Sequence, residues 1–133
     1  MRSSDAAEAP DAATQAATAD AAKRRFKART NEWAAKLGVN VRSITVRPLT
    51  TKWASCSTAG RLTFDTQLLK LSHELQDYVI VHELLHFNTP NHGPLWKSLM
   101  RAHLGEYEAR EQELRMVAGQ AIERRDLERY PTR

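Results

Sequence analysis

Two histidines four residues apart, His82 and His86, lie in one of the most apolar stretches of the chain, Tyr78-Val79-Ile80-Val81-His82-Glu83-Leu84-Leu85-His86. That pairing limits what the chain can become. On a helix, residues four apart stand one turn above each other, about 5–6 Å between Cβ atoms. Two imidazoles so placed reach one metal ion at about 2.0–2.1 Å each. Glu83, beside the first of them, approaches the open side of such a metal and can hold its water. Leu75 and Val79 continue the stripe of the two histidines. Both imidazoles are thus expected to point inward, where an unpaired polar ring is costly. Ser72 supplies an N-cap and Glu74 a first-turn acid, so the segment predicts a helix ending at His86 or Phe87.

The alternative is a pair of satisfied core histidines. In a chain of this composition, chance alone produces His-Glu-x-x-His about 1–2% of the time, so the motif by itself is suggestive only. The helix, its stripe and a further histidine sharpen it. A catalytic zinc usually takes three protein ligands and keeps a fourth position for water. His92 follows the breaker Asn88-Thr89-Pro90-Asn91, which lets the chain turn back and present it at the start of the next helix. Glu106, Glu108 and Glu111 are the competing third ligands. His92 is preferred because a neutral imidazole suits zinc well.

The rest of the chain predicts a helix, a sheet and more helices. Phe26, Trp33 and Leu37 recur at helical spacing between Lys23 and Leu37, and Gly38 is a plausible stop. Val41, Ile44 and Val46 alternate in part with polar residues and Pro48 closes that strand. A second strand carries Trp53 and a third runs Arg61 to Asp65, joined by the turn residues Ser57 to Gly60. The latter two read as a hairpin, and the first strand is expected to join them in a small three-stranded antiparallel sheet. Pro94 opens a helix that ends near Gly105, and a charged helix covers about residues 106–129.

Residues 1–22 hold no Val, Ile, Leu or aromatic residue and are expected to be a disordered Ala-rich tail. An Ala-rich helix there is the alternative, made marginal by Pro10 and the scattered Asp residues. The tail has Arg2 against Asp5, Glu8, Asp11 and Asp20; since the whole chain is +4, the remainder carries +7. Such a balance permits weak nucleic-acid association, although a solvated surface explains it more simply. Cys56 is the only cysteine, so no internal disulfide exists. No apolar run approaches the roughly 20 residues that span a bilayer, and a cytoplasmic location is expected.

Thr51-Lys52-Trp53-Ala54-Ser55-Cys56-Ser57, followed by Gly60 and a strand, resembles the signature hairpin of the YgjP-like metallopeptidase domain. Asp77 to His86 resembles its metal helix. Asn91-His92-Gly93-Pro94-Leu95-Trp96 resembles its third-ligand segment and the His-Gly-Pro stretch of the related SprT-like proteases. Ala54 stands where a glycine is usual and Leu85 where a cysteine is common; neither is a proposed ligand. The resemblance runs from about residue 23 to 115. It implies an α+β, zincin-like fold in which the sheet packs against the metal-binding helix and flanking helices. It also implies one Zn2+ per chain on His82, His86 and His92, with Glu83 as general base. The domain is thus expected at residues 23–115, with a charged helical extension at 116–133.

The expected activity is that of a zinc metalloendopeptidase acting on peptides or proteins. Arg101, His103 and Tyr107 are candidates for stabilising the oxyanion, each with an ordinary surface or packing role as the simpler alternative. The strand near Trp53 or Phe64 is the candidate for pairing with an extended substrate. Cys56 is expected to be structural rather than a nucleophile or inhibitory ligand, and Trp96 to pack under the metal helix. Two other functions compete: a SprT-like, DNA-associated protease, and a zinc-binding module without turnover. Retention of Glu83 speaks against the latter, because metal binding alone does not need that carboxylate. The sequence carries no signal of oligomeric state.

Overall fold

The computed structural model describes residues 12–50, 52–87, 89 and 92–121. Helix α1 spans Ala12–Leu37 and is anchored by Phe26, Thr30 and Ala34, buried at intervals of four residues. The Thr30 hydroxyl donates to the Phe26 carbonyl at 2.9 Å, so its polar group is satisfied inside the core. Residues 12–20 are exposed on every side. Here the structure corrects the sequence-based expectation, because residues 12–22, assigned to a disordered tail, extend α1. The physical reason is cooperativity. The packed half of α1 meets the cost of nucleation, and Ala, the best helix former, then propagates the helix without burying anything. The first eleven residues lie outside the described residues. Gly38 ends the helix with φ +69°, and the amide of Val39 donates to the Ala34 carbonyl at 2.9 Å.

Strands β1 (Ser43–Arg47), β2 (Ala54–Cys56) and β3 (Arg61–Asp65) form one sheet in the order β1-β3-β2. β2 and β3 are the expected hairpin, antiparallel with Ser55 opposite Thr63. β1 pairs with β3 in parallel, Ile44 with Leu62 and Val46 with Phe64, so the sheet is mixed and not antiparallel throughout. The chain crosses from β1 to the far edge before making the hairpin. β3 then returns between the two and runs with β1. Gly60 permits this return: with φ +89°, any Cβ there would lie 3.3 Å from the Asn40 carbonyl oxygen. Its carbonyl accepts from the amide of Arg42 at 2.7 Å, which ties the turn to the start of β1.

After β3 a short 3-10 helix, Thr66–Lys70, leads into helix α2, His73–Leu85. Ser72 caps α2 as expected, its Oγ accepting from the Leu75 amide at 3.3 Å. From Tyr78 to Leu85 every residue of α2 is buried. A helix buried all round is the centre of a fold rather than a surface element. Phe64 and Leu62 of the sheet are buried in the same core, and Phe26 of α1 meets Phe64 edge-on at 4.9 Å between ring centroids. Asp77 fastens α2 to α1, accepting from Trp33 Nε1 at 2.9 Å and from Arg29 at 3.1 Å. Helices α3 (Pro94–Leu104) and α4 (Tyr107–Ala121) complete the enclosure, with Tyr107, Glu111 and Leu114 turned inward. The expected extension of α4 to about residue 129 lies outside the described residues beyond Ala121. No helix among the described residues is long and apolar enough to cross a membrane.

Candidate metal centre

His82 lies within α2 and is 1% exposed. His86 is the C-cap residue of the same helix, and its amide and that of Phe87 close a tightened last turn on Glu83 and Leu84. The chain then reverses. Thr89, buried, donates both its amide and its hydroxyl to the Leu85 carbonyl, at 2.8 and 2.7 Å. A carbonyl that the helix itself leaves unpaired is thus used twice, and the chain is set on the return path that delivers His92.

The outcome is a cluster in which one ring nitrogen from each of His82, His86 and His92 lies within 4.8 Å of the others. The Nε2 atoms of His86 and His92 are 3.2 Å apart. Among the described residues no other set of three His, Cys, Asp or Glu side chains converges in this way. Of the four candidates for a third ligand, only His92 joins the pair. Glu108 pairs with Arg101, Glu106 is exposed, and Glu111 accepts from the Tyr78 hydroxyl at 3.3 Å.

Trp96 backs the cluster. Its ring lies 4.4 Å from that of His92 at an angle of 36° and meets His82 edge-on at 5.2 Å, and Tyr107 supports it from behind at 5.8 Å. Pro94 at the first position of α3 and Gly93 before it start the helix where this packing is possible. Of the oxyanion candidates, Tyr107 is 3% exposed and packs on Trp96. Arg101 lies over the Tyr107 ring and His103 meets Trp33 edge-on. The structure gathers none of these three into the histidine cluster.

Glu83 is buried, with Oε2 3.4 Å from His82 Nδ1. The thiol of Cys56, at the end of β2, hydrogen-bonds the Glu83 carboxylate. Burial first, then the charge of Glu83 and that hydrogen bond, push the Cys56 pKa up to about 11. Trp53 is in the core at 1% exposure, as its simpler interpretation held. The links made by Thr89, and by Glu111 with Tyr78, were not anticipated from the sequence. The only available signal for Glu111 was its phase with Tyr107 and Leu114 on one face of α4.

The model of the YgjP-like metallopeptidase domain matches residues 1–116. The chain belongs to the YgjP-like metallopeptidase family. Among solved structures, the metallopeptidase zymogen jannalysin of Methanocaldococcus jannaschii superposes with a TM-score of 0.61 at 29% identity, covering 71% of this chain and 96% of that one. The metallopeptidase zymogen abylysin of Pyrococcus abyssi gives a TM-score of 0.62 at 22% identity, covering 74% and 99%, a likeness of fold. No curated protein matches the chain. The α+β fold with its small mixed sheet is therefore zincin-like, and the family implies hydrolysis of peptide bonds with a metal ion.

The residues present fit such an ion. Three imidazoles form a borderline-soft donor set that suits zinc and leaves a position open. Tetrahedral bonds of about 2.0–2.1 Å put two ligand nitrogens roughly 3.3 Å apart. The His86–His92 separation of 3.2 Å matches that spacing.

Proposed function

We propose that the protein is a zinc-dependent endopeptidase in which His82, His86 and His92 hold one Zn2+ per chain and Glu83 is the general base. The observation that carries this reading is the convergence of three imidazoles from two segments beside a buried carboxylate. When bound, the zinc would polarise the scissile carbonyl and make a water nucleophilic near neutral pH. Glu83 accepts the proton of the attacking water at a carboxylate oxygen and delivers it to the leaving amine. The Cys56 thiol and His82 Nδ1, both beside that carboxylate, limit its rotation. Trp96 orients His92 and His82 and excludes water from behind them.

The substrate is a peptide or protein chain bound in extended form. β2 is an edge strand next to α2, so its outer edge offers main-chain groups for β-addition. An edge strand can pair with an internal stretch of a longer chain, which is the basis for proposing an endopeptidase. We assign catalysis to residues 23–115, with the segments before and after as extensions, and a cytoplasmic location remains part of the proposal.

Metal analysis of the tag-free protein beside His92→Ala tests the centre. About one zinc per wild-type chain and a sharply lower content in the variant are expected; full retention in the variant removes His92 from the ligand set. Glu83→Gln should keep the zinc and lose peptide hydrolysis by at least about 100-fold. Undiminished hydrolysis would take Glu83 out of the mechanism.

A further inference from the structure

We propose that the cavity between the β2–β3 turn and the end of α2 receives a substrate side chain next to the cleaved bond, selects uncharged side chains, and is tuned by Thr58. The proposal deepens the peptidase reading above and rests on it.

The cavity has a volume of about 250 Å³ and is lined by Cys56, Ser57, Thr58, His86 and Phe87. His86 belongs to the histidine cluster, so cavity and candidate metal centre share a wall. β2 ends at Cys56, where the cavity opens. Successive side chains of an extended peptide point to opposite faces. A peptide paired along the outer edge of β2, with its scissile bond at the histidines, therefore carries a neighbouring side chain over this opening.

The lining determines what enters. Phe87 gives the cavity an apolar wall, and Cys56 contributes a small side chain. The Ser57 hydroxyl oxygen is already engaged by the amides of Ala59 and Arg61, each at 3.2 Å. Among the described residues no Asp, Glu, Lys or Arg lines the cavity. A carboxylate or ammonium entering it would lose hydration with no charged side chain in that lining to pair with, which is unfavourable. Apolar side chains lose nothing by the same transfer. Thr58 is the adjustable position. It is exposed in a turn held by backbone bonds between Ser57 and Arg61 and between Gly60 and Ser57, so its side chain can change without disturbing the hairpin.

The test measures binding to the zinc-loaded protein, so it does not depend on turnover. Two series of short peptides carry a hydroxamate cap for the metal, one with residues on the amino side and one on the carboxyl side. The residue nearest the cap is Leu, Phe, Lys or Asp, and calorimetry gives each Kd. In one series the wild type should bind Leu and Phe at least about ten-fold tighter than Lys and Asp. Thr58→Asp should improve the Lys ligand about ten-fold relative to Leu, and Thr58→Lys should do the same for the Asp ligand. Thr58→Ala, which adds no charge, should leave the ranking of wild type. Hydroxamates that bind all forms with one unchanged ranking would overturn the subsite and leave the peptidase reading standing. Hydroxamates that bind none of the zinc-loaded forms would overturn both.

Discussion

His92 completes the cluster because of what Thr89 does to the end of α2. Thr89 lies three positions before His92, and its two hydrogen bonds to the Leu85 carbonyl fix the direction in which the chain leaves the helix. Thr89→Val keeps the shape and the amide bond but removes the hydroxyl. The loss of one buried hydrogen bond should lower stability by about 1 kcal/mol. Zinc affinity should fall several-fold as well, because the third imidazole then searches a wider range of positions. Thermal melts of the metal-free protein and a competition titration with a chelating indicator read the two effects separately. A lower melting temperature with unchanged zinc affinity would make Thr89 a purely structural cap.

At the scale of elements, α2 is held to two neighbouring helices by polar side chains, one link part-buried and one buried. Asp77 binds it to α1 through Trp33 and Arg29, and Tyr78 binds it to α4 through Glu111. Burial is the largest influence on Glu111 and raises its pKa; Arg115 and the Tyr78 hydroxyl pull the other way without cancelling it. A carboxyl whose pKa is higher folded than unfolded binds more protons in the folded state. Its contribution to stability is complete below the unfolded value and is lost as pH rises through the folded value. Wild-type protein should therefore lose stability from this group as pH is raised above the ordinary carboxylate range. In Glu111→Gln that component is absent. Melting temperatures at pH 5 and pH 8 should differ in the direction of relative gain at high pH for the variant. Parallel pH profiles for the two proteins would show that Glu111 titrates alike folded and unfolded. Tyr78 precedes His82 by one helical turn, with ring centroids 5.8 Å apart, so this link also steadies the first histidine.

For the molecule as a whole, the enclosed unit is α2 with the sheet, the inner half of α1, α3 and α4. The outer half of α1 touches none of the core, since residues 12–20 are exposed throughout. A chain beginning at Ala21 should keep its zinc and melt within a few degrees of the full protein, because only exposed helix is lost. Phe26→Ala, in the buried half of the same helix, should instead cost about 3–5 kcal/mol by opening a cavity against Phe64. A large loss of stability on truncation would mean that the Ala-rich half contributes to the folded domain, contrary to the proposed boundary at residue 23.

Much of this was legible in the residues themselves. The spacing of His82, Glu83 and His86, the cap at Ser72, the stop at Gly38 and the β2–β3 turn are local matters. Each is set by contacts within about four residues, where helix and turn geometry act directly. The parallel pairing of β1 with β3 was not local. It follows from the order in which three strands share one sheet, and alternation within β1 is the same whichever way its neighbour runs. The helical state of residues 12–22 was misjudged for a related reason. Composition measures how poorly that segment packs, whereas its conformation is inherited from the packed helix that it continues. That His92, and none of the three glutamates, lies beside His82 and His86 was settled by the fold, since all four follow α2 at tolerable distances along the chain. The sequence alone thus specified a buried helix that carries His82, Glu83 and His86 at metal-ligand spacing. Tertiary packing decided which distant side chains meet there, because only the folded backbone converts separation along a chain into distance in space.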